Sequence, residues 1–510
     1  MILHQFLRVS TNYARLIIGF LAGILVVRQL LAYGEDIFNI YTVVTVGAGI
    51  GIMLKEILRI ALVPLLTEHW QKNKNDFSTQ YAAAFALSLI AASTGLLIMV
   101  LLATSMNRLS IQQENVFAAQ VFVLCRAGIM AMSVCLSPLF AMQMVSQRFV
   151  QSNLLISLER CFDLLAVFVP LYLLDGAVVE GSQALIVFSI ASVIFATLLY
   201  VGFSAYFIRL DARLRPCWSF PDLWREKSVW NRLGWALVLI FSFNLYLRFD
   251  TLFINIHFGI VETVVFGLCV QIIGMLRQLT SGIVGGLDAV VARLVHDSAG
   301  PQDNKISALV SNSLYLQALL TSYGILFLIF TLPLLLKFWV GDRVSDLSML
   351  SAASELALVM AIGMAARSLS EIWMNQLQGQ GKLGSYVRYT TIITLLNPIV
   401  VLTIATFSAS GITLIQVGMI YSFLLSISHL VIIPIVYIRV NGGTLMGIYR
   451  SIFRGFVSVP LAAGLVYGVE AMVRFTNDFD RLAIVGGTLL VTALVDFCLF
   501  VFVTMRSKRS

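Results

Sequence analysis

The sequence predicts an all-α integral membrane protein with fourteen transmembrane helices, arranged as two pseudo-symmetric six-helix lobes and two C-terminal helices. Three observations predict it. First, 59% of the 510 residues are hydrophobic and only 12% are charged, with a mean hydropathy of +0.91, more apolar surface than a water-soluble chain of this size can hide. Second, fourteen apolar runs of helix length are separated by polar or Gly/Pro clusters. Third, the loops between them alternate in charge, as short loops on the two sides of a membrane do.

In order, the runs are 11–32, 38–66, 80–104, 116–142, 152–174, 184–208, 232–257, 263–292, 311–337, 350–375, 384–408, 412–438, 452–473 and 482–504. One set of loops and both termini carry 20 Lys and Arg residues, among them Arg8, Lys74, Arg148, Arg225, Lys382, Arg439, Lys508 and Arg509. The other set carries five: Arg108, Lys337, Arg343, Arg474 and Arg481. The positive-inside rule therefore puts both termini of this multi-pass chain in the cytoplasm. Trp70, Trp218, Trp224, Trp230 and Trp235 fall at predicted cytoplasmic ends, where interfacial anchors belong. The net charge of +8 is thus topology rather than a nucleic-acid footprint, since the bases are scattered over many short loops.

The predicted organisation is an N-lobe over 1–208, a cytoplasmic linker over 209–231, a C-lobe over 232–438, and helices thirteen and fourteen with the tail over 439–510. A repeat supports the two lobes. Gly34 to Tyr41 opens the second helix, and Gly259 to Phe266 opens the eighth with the same glycine-to-aromatic spacing. Residues 141–148 after helix four likewise resemble 374–382 after helix ten. The six cysteines (Cys125, Cys135, Cys161, Cys217, Cys269, Cys498) form no C-x-x-C pair and read as small core residues or free thiols. The first apolar run carries Arg15 and Arg28 and lacks a small-residue cleavage site, so it reads as a span rather than a cleaved signal.

The stretch 46–64 organises the functional reading. It is apolar except for Lys55, Glu56 and Arg59, with Lys55 and Arg59 four apart on one helical face. A charge facing lipid at mid-span costs about 2.5–3.5 kcal/mol, so these residues are expected to face a polar interior. An internal Glu56–Arg59 pair is the plainer account, and it leaves a cation over. Helices one, two, seven and eight together hold six bases (Arg15, Arg28, Lys55, Arg59, Arg248, Arg277) against three acids (Glu56, Asp250, Asp288). Such a surplus attracts an anion. In helix seven Asn244, Arg248, Thr251 and Asn255 form a polar stripe, and in helix eight Gln271 and Gln278 flank Arg277. These groups suit sugar hydroxyls or, equally, interhelical hydrogen bonds. Asp250 and Glu56 are the candidates for a coupling proton or sodium ion. Glu159-Arg160-x-x-Asp163 and Arg367-x-x-x-Glu371 are spaced for pairing within their own helices. No metal-ligand spacing, nucleophile elbow or phosphate loop is present, so neither an enzyme nor a metal site is expected, and no cofactor beyond a coupling H+ or Na+.

Arg28-x-Leu30-Leu31-x-x-Gly34-x-x-x-Phe38-x-x-Tyr41 resembles the signature after the first helix in polysaccharide flippases of the Wzx type, members of the multidrug/oligosaccharidyl-lipid/polysaccharide (MOP) exporter superfamily. Asn39 stands where those flippases usually have glycine. Arg28-Gln29 stands where the related lipid II flippases usually have an Arg-Asp pair. The resemblance implies a MATE-like fold working by alternating access. It implies a polyprenyl-diphosphate-linked oligosaccharide as cargo, carried across the cytoplasmic (inner) membrane for surface polysaccharide assembly. Membrane lipids and other polysaccharide-assembly proteins would be the partners of a monomer. In this family the anionic head group would meet Lys55, Arg59, Arg248, Arg277, Arg28 and Arg15. Two rivals are a multidrug/cation antiporter of the same superfamily, which wants acids at the cavity centre, and a membrane glycosyltransferase or polymerase, which wants a large outward loop.

Overall fold

The computed structural model describes residues 2–72, 77–146, 148–174, 180–220, 227–296, 303–408, 411–473, 475 and 477–507. Lys74, Arg225, Arg474, Lys508, Arg509 and Trp224 of the charge and anchor pattern lie outside the described residues, as does part of the predicted linker. The described residues form helices joined by turns and loops, in two compact units, Met1–Gly267 and Leu268–Ser510.

The first unit is built from α1 (Ile2–Tyr33), α2 (Glu35–Thr42), α3 (Ile50–Lys72), α4 (Phe77–Thr104), α5 (Val116–Cys135), α6 (Ser137–Val145), α7 (Phe149–Leu173), α8 (Gly181–Leu210), α9 (Lys227–His257) and the start of α10 (Ile260–Val284). α1 lies on α7, α4 on α5, α8 on both α5 and α7, and α9 on α3. Buried aromatic rings lock this bundle, with Phe122 stacked on Phe188 between α5 and α8. At the end of α8, the Arg213 guanidinium sits 4.6 Å over the Trp70 ring, and Tyr81 donates to the Leu214 carbonyl at 3.0 Å. The beginning of the linker is therefore pinned to α3 and α4. Asp211 takes two bonds from the Arg213 side chain, at 3.0 and 2.6 Å, which hold its carboxyl below the usual carboxylate range.

The second unit continues with α11 (Leu287–His296), α12 (Asp303–Val340), α13 (Ser348–Gly379), α14 (Gly384–Phe407), α15 (Leu414–Ser426), α16 (Ile433–Asn441), α17 (Leu445–Phe456), α18 (Val459–Met472) and α19 (Asp478–Ser507). α13 is its most enclosed helix, packed by α11, α12 and α15, and Trp373 is 1% exposed. α17 packs on α12, and α18 and α19 lean on α12 through a small apolar core that includes Leu319, Val466 and Leu489.

Eleven helices among the described residues are long and apolar enough to cross a membrane, and α9, bent by 43° between Leu233–Ser242 and Asn244–His257, brings the number to twelve. Two of the fourteen expected spans are absent from that set. Both exist as helices, and both miss on polar grounds. α3 follows a break and carries Lys55, Glu56 and Arg59; α7 carries Glu159, Arg160 and Asp163. The segments that depart from simple membrane helices are thus the ones that concentrate charge.

The glycine repeat has matching geometry in its two copies. Gly34 and Gly259 have φ of 137° and 108°, which a side chain strongly disfavours, and each accepts the first helical bond, from Phe38 N at 3.2 Å and Thr263 N at 3.3 Å. The second helix then departs from regularity. Residues Val43–Ala48 form a π-helical turn, and Gly49, with φ of 29°, separates it from α3.

Candidate functional site

The first unit holds three polar assemblies on a shared set of helices. The π-turn and Gly49 interrupt the regular helical ladder, with Gly49 N donating to Val44 O at 3.0 Å and Met53 N to Gly49 O at 3.4 Å. Arg248, from α9, adds side-chain donors at this break: Nη2 donates to Gly49 O at 2.9 Å and Nη1 approaches Val46 O at 3.4 Å. Asn244, one turn earlier, approaches Nη2 with its Oδ1 at 3.4 Å and donates to Ile240 O. Space for this is tight, since a Cβ on Gly49 would lie 2.3 Å from Arg248 Nη1 and one on Gly47 3.3 Å from the Leu252 side chain. Arg248 therefore clasps the break in the second helix.

Toward the α2 end of the same helix, Asn255 is fully buried and knots three segments together. Its Nδ2 donates to Asn39 Oδ1 at 2.9 Å, and its Oδ1 accepts from Ser110 N at 2.9 Å. Asn39 in turn donates to Ser110 O at 2.8 Å, and Asp36 accepts from Asn115 at 2.8 Å. The asparagine that stands in place of a family glycine thus serves a local network. Thr251 returns its hydroxyl to Leu247 O at 2.5 Å, and Asp250 is fully buried beside it.

The third assembly is a cavity of about 190 Å3 inside the first unit. Lys55, Arg126, Glu159, Arg160, Asp163 and Tyr200 line it, together with Thr45, Ser133 and Ser192. Lys55 Nζ lies 3.1 Å from Glu159 Oε1, which also accepts from Tyr200 at 2.9 Å, and Arg126 Nη1 lies 3.1 Å from Asp163 Oδ1. The Arg126 guanidinium also faces the rings of Phe122 and Phe188 at 5.2 and 5.4 Å.

This corrects the expectation that Glu159 and Asp163 pair within their own helix. The i, i+1, i+4 spacing permits that arrangement, but α3, α5 and α8 bring Lys55, Arg126 and Tyr200 to the same carboxylates. In the second unit Glu371 likewise receives Arg277 from α10, with Arg277 Nε at 3.1 Å. Glu56 and Arg59 form the expected i, i+3 pair at 2.9 Å, with both side chains over a third exposed. Arg15, on α1, lies within electrostatic range of Glu56, Arg59 and Arg160, and Arg28 is half-buried on the same helix. Gln271 and Gln278 are half-buried on α10, where Ser281 donates to the Gln278 carbonyl at 3.1 Å.

No family model matches the sequence, and no curated protein matches it either. Solved structures do match in fold. A structure of lipid II flippase MurJ in an inward closed conformation superposes with a TM-score of 0.67 at 11% identity, over 99% of this chain and 100% of that one. The fold is similar to those of solved MOP-superfamily transporters as well. An inward-facing multidrug resistance MATE transporter of that superfamily matches with a TM-score of 0.59 at 12% identity, covering 87% of this chain and 99% of its own. A MOP transporter from Pyrococcus furiosus, noted for reversed polarity of its binding pocket, matches at 0.59 and 12%, over 86% and 96%. Similarity in fold, at this identity, extends over essentially the whole chain.

Proposed function

We propose that this protein is a flippase that carries a polyprenyl-diphosphate-linked oligosaccharide across the cytoplasmic membrane for surface polysaccharide assembly. The observation that carries the reading is the charge balance inside the first unit. Seven bases (Arg15, Arg28, Lys55, Arg59, Arg126, Arg160, Arg248) occur within its apolar helices against four acids (Glu56, Glu159, Asp163, Asp250). Three acids are already engaged by Arg59, Lys55 and Arg126. The other bases, Arg15, Arg28, Arg160 and Arg248, outnumber the other acid, Asp250, and a base-rich interior of that kind favours an anionic group over a cation. A diphosphate between lipid and sugar is such a group, and the amides of Asn244, Gln271 and Gln278 suit sugar hydroxyls. The likeness to lipid II flippase MurJ supports the same class of cargo.

In this reading the membrane holds fourteen spans, with α2–α3 and α7 as the two charged ones, and both termini face the cytoplasm. The lobes are 1–208 and 232–438, joined by 209–231 and followed by 439–510. Asp250 or Glu56 exchanges a coupling H+ or Na+, and the working unit is a monomer. The multidrug/cation antiporter reading takes support from the MATE likeness in fold, and the base-rich interior of the first unit argues against it. Complementation of surface-polysaccharide export, normalised to membrane abundance, tests the proposal. Lys55→Ala, Arg248→Ala and Arg277→Ala are expected to lower export per molecule. Wild-type export by all three would refute the anionic-head-group reading.

A further inference from the structure

The cavity in the first unit asks for a ligand of its own. It is lined by Lys55, Arg126 and Arg160 against Glu159 and Asp163, one positive charge in excess. Ser192, 4% exposed, contributes a hydroxyl to this lining that makes no hydrogen bond in the structure, and the buried Nε of Arg126 has no acceptor. Buried donors left open cost about 1–3 kcal/mol each, so a guest that accepts from them is favoured. The volume sets the size of that guest. Sites for drug-sized molecules take roughly 300–1,000 Å3, so a cavity of about 190 Å3 is too small for a sugar diphosphate and ample for an ion with part of its hydration. The charge sets its sign: a monovalent anion would neutralise the cavity, whereas a cation would double its excess.

The geometry points to a binding site for a small monovalent anion, of halide type, between α3, α5, α7 and α8, held by Arg126 and Ser192 and attracted by Lys55 and Arg160. The two ion pairs stay intact, because the anion uses donors that they leave unused. Bound there, it would complete the hydrogen bonding between α5 and α8 and stabilise the first unit. This goes beyond the proposed transport of a lipid-linked oligosaccharide and stands or falls independently of it.

The test uses the purified full-length protein in detergent. Its thermal unfolding midpoint is followed as gluconate is replaced by chloride or bromide at constant sodium and ionic strength. A saturable rise with both halides is expected, with half-saturation moved about tenfold higher by Ser192→Ala and by Arg126→Lys, the effect of losing one hydrogen bond to a charged group. Anomalous scattering from bromide in crystals of the protein is expected inside the cavity. Identical midpoints in gluconate and halide would overturn the site. So would a halide response unchanged in Ser192→Ala, a variant that loses only a hydroxyl and is expected to fold whether or not Arg126→Lys does. A midpoint that follows replacement of sodium by choline, and ignores the anion, would show a cation site instead and equally overturn it.

Discussion

Replacing Gly49 by alanine probes the clasp on the second helix directly. Its φ of 29° lies in the left-handed region, where a Cβ costs roughly 1–2 kcal/mol. The new Cβ would also lie 2.3 Å from Arg248 Nη1 and 2.6 Å from Thr45 O, so the guanidinium has to leave. Loss of its bond to Gly49 O, a charge-assisted hydrogen bond, adds about 1.5–3 kcal/mol. The expected cost of Gly49→Ala is therefore about 2.5–5 kcal/mol. In an Arg248→Ala background only the backbone term and the Thr45 contact remain, and the same substitution is expected to cost about 1–2 kcal/mol. A double-mutant cycle on denaturant unfolding in mixed micelles, followed by tryptophan fluorescence, measures the difference. Coupling of about 1.5–3 kcal/mol is predicted; additivity within about 0.5 kcal/mol would refute the claim that Arg248 holds this break.

The ion pair of Lys55 and Glu159 is partly exposed, at 33% and 22% of its side chains, so breaking it is expected to cost about 1–2 kcal/mol, below the roughly 3–5 of a fully buried pair. Lys55→Glu with Glu159→Lys is expected to recover most of the membrane abundance lost by either single change. Asp250→Asn is expected to remove the dependence of transport on a proton or sodium gradient in proteoliposomes, with full retention pointing to Glu56 or to no coupling. Single cysteines at Asn107 and Asp342 are expected to react with impermeant maleimide on intact cells, and one at Ser219 only after inversion of the membrane. Cys217 sits in the same loop as Ser219, and burial pushes its thiol above the ordinary cysteine value. Because the thiolate is the reacting form, its labelling in inverted vesicles is expected to climb at a higher pH than that of a free thiol, and coincident profiles would contradict this.

Much of the fold was legible because membrane helices announce themselves by length and apolarity. The glycines at 34 and 259 were legible for a different reason: a required positive φ leaves a trace in residue type, and both copies show it. Charge partners within a helix were legible for Glu56 and Arg59, and partners arriving from other helices were not. Spacing within α7 offers Glu159 and Asp163 an intrahelical base, and nothing in the sequence says that Lys55 and Arg126 arrive from other helices. Arg248 was visible as an intramembrane base, yet its engagement depends on a π-turn 200 residues away, which composition does not encode. Asn39 read as a departure from a family glycine and acquires meaning only with Asn255 and Ser110 beside it. The cavity rests on Ser192, an unremarkable serine in an apolar run whose significance lies in what surrounds it.

The central claim is that the base-rich interior of the first unit receives a diphosphate head group. It is tested most directly by flipping of a fluorescent polyprenyl-diphosphate oligosaccharide in proteoliposomes, measured as the fraction that becomes accessible to an external quencher. Flipping by the wild-type protein is predicted, with a loss of at least about tenfold in Arg15→Gln and Arg28→Gln at equal reconstitution, since each removes a cation whose interaction with a phosphate charge at about 4 Å is on the order of 4 kcal/mol before desolvation. No flipping by the wild-type protein, or undiminished flipping by both variants, would contradict the account.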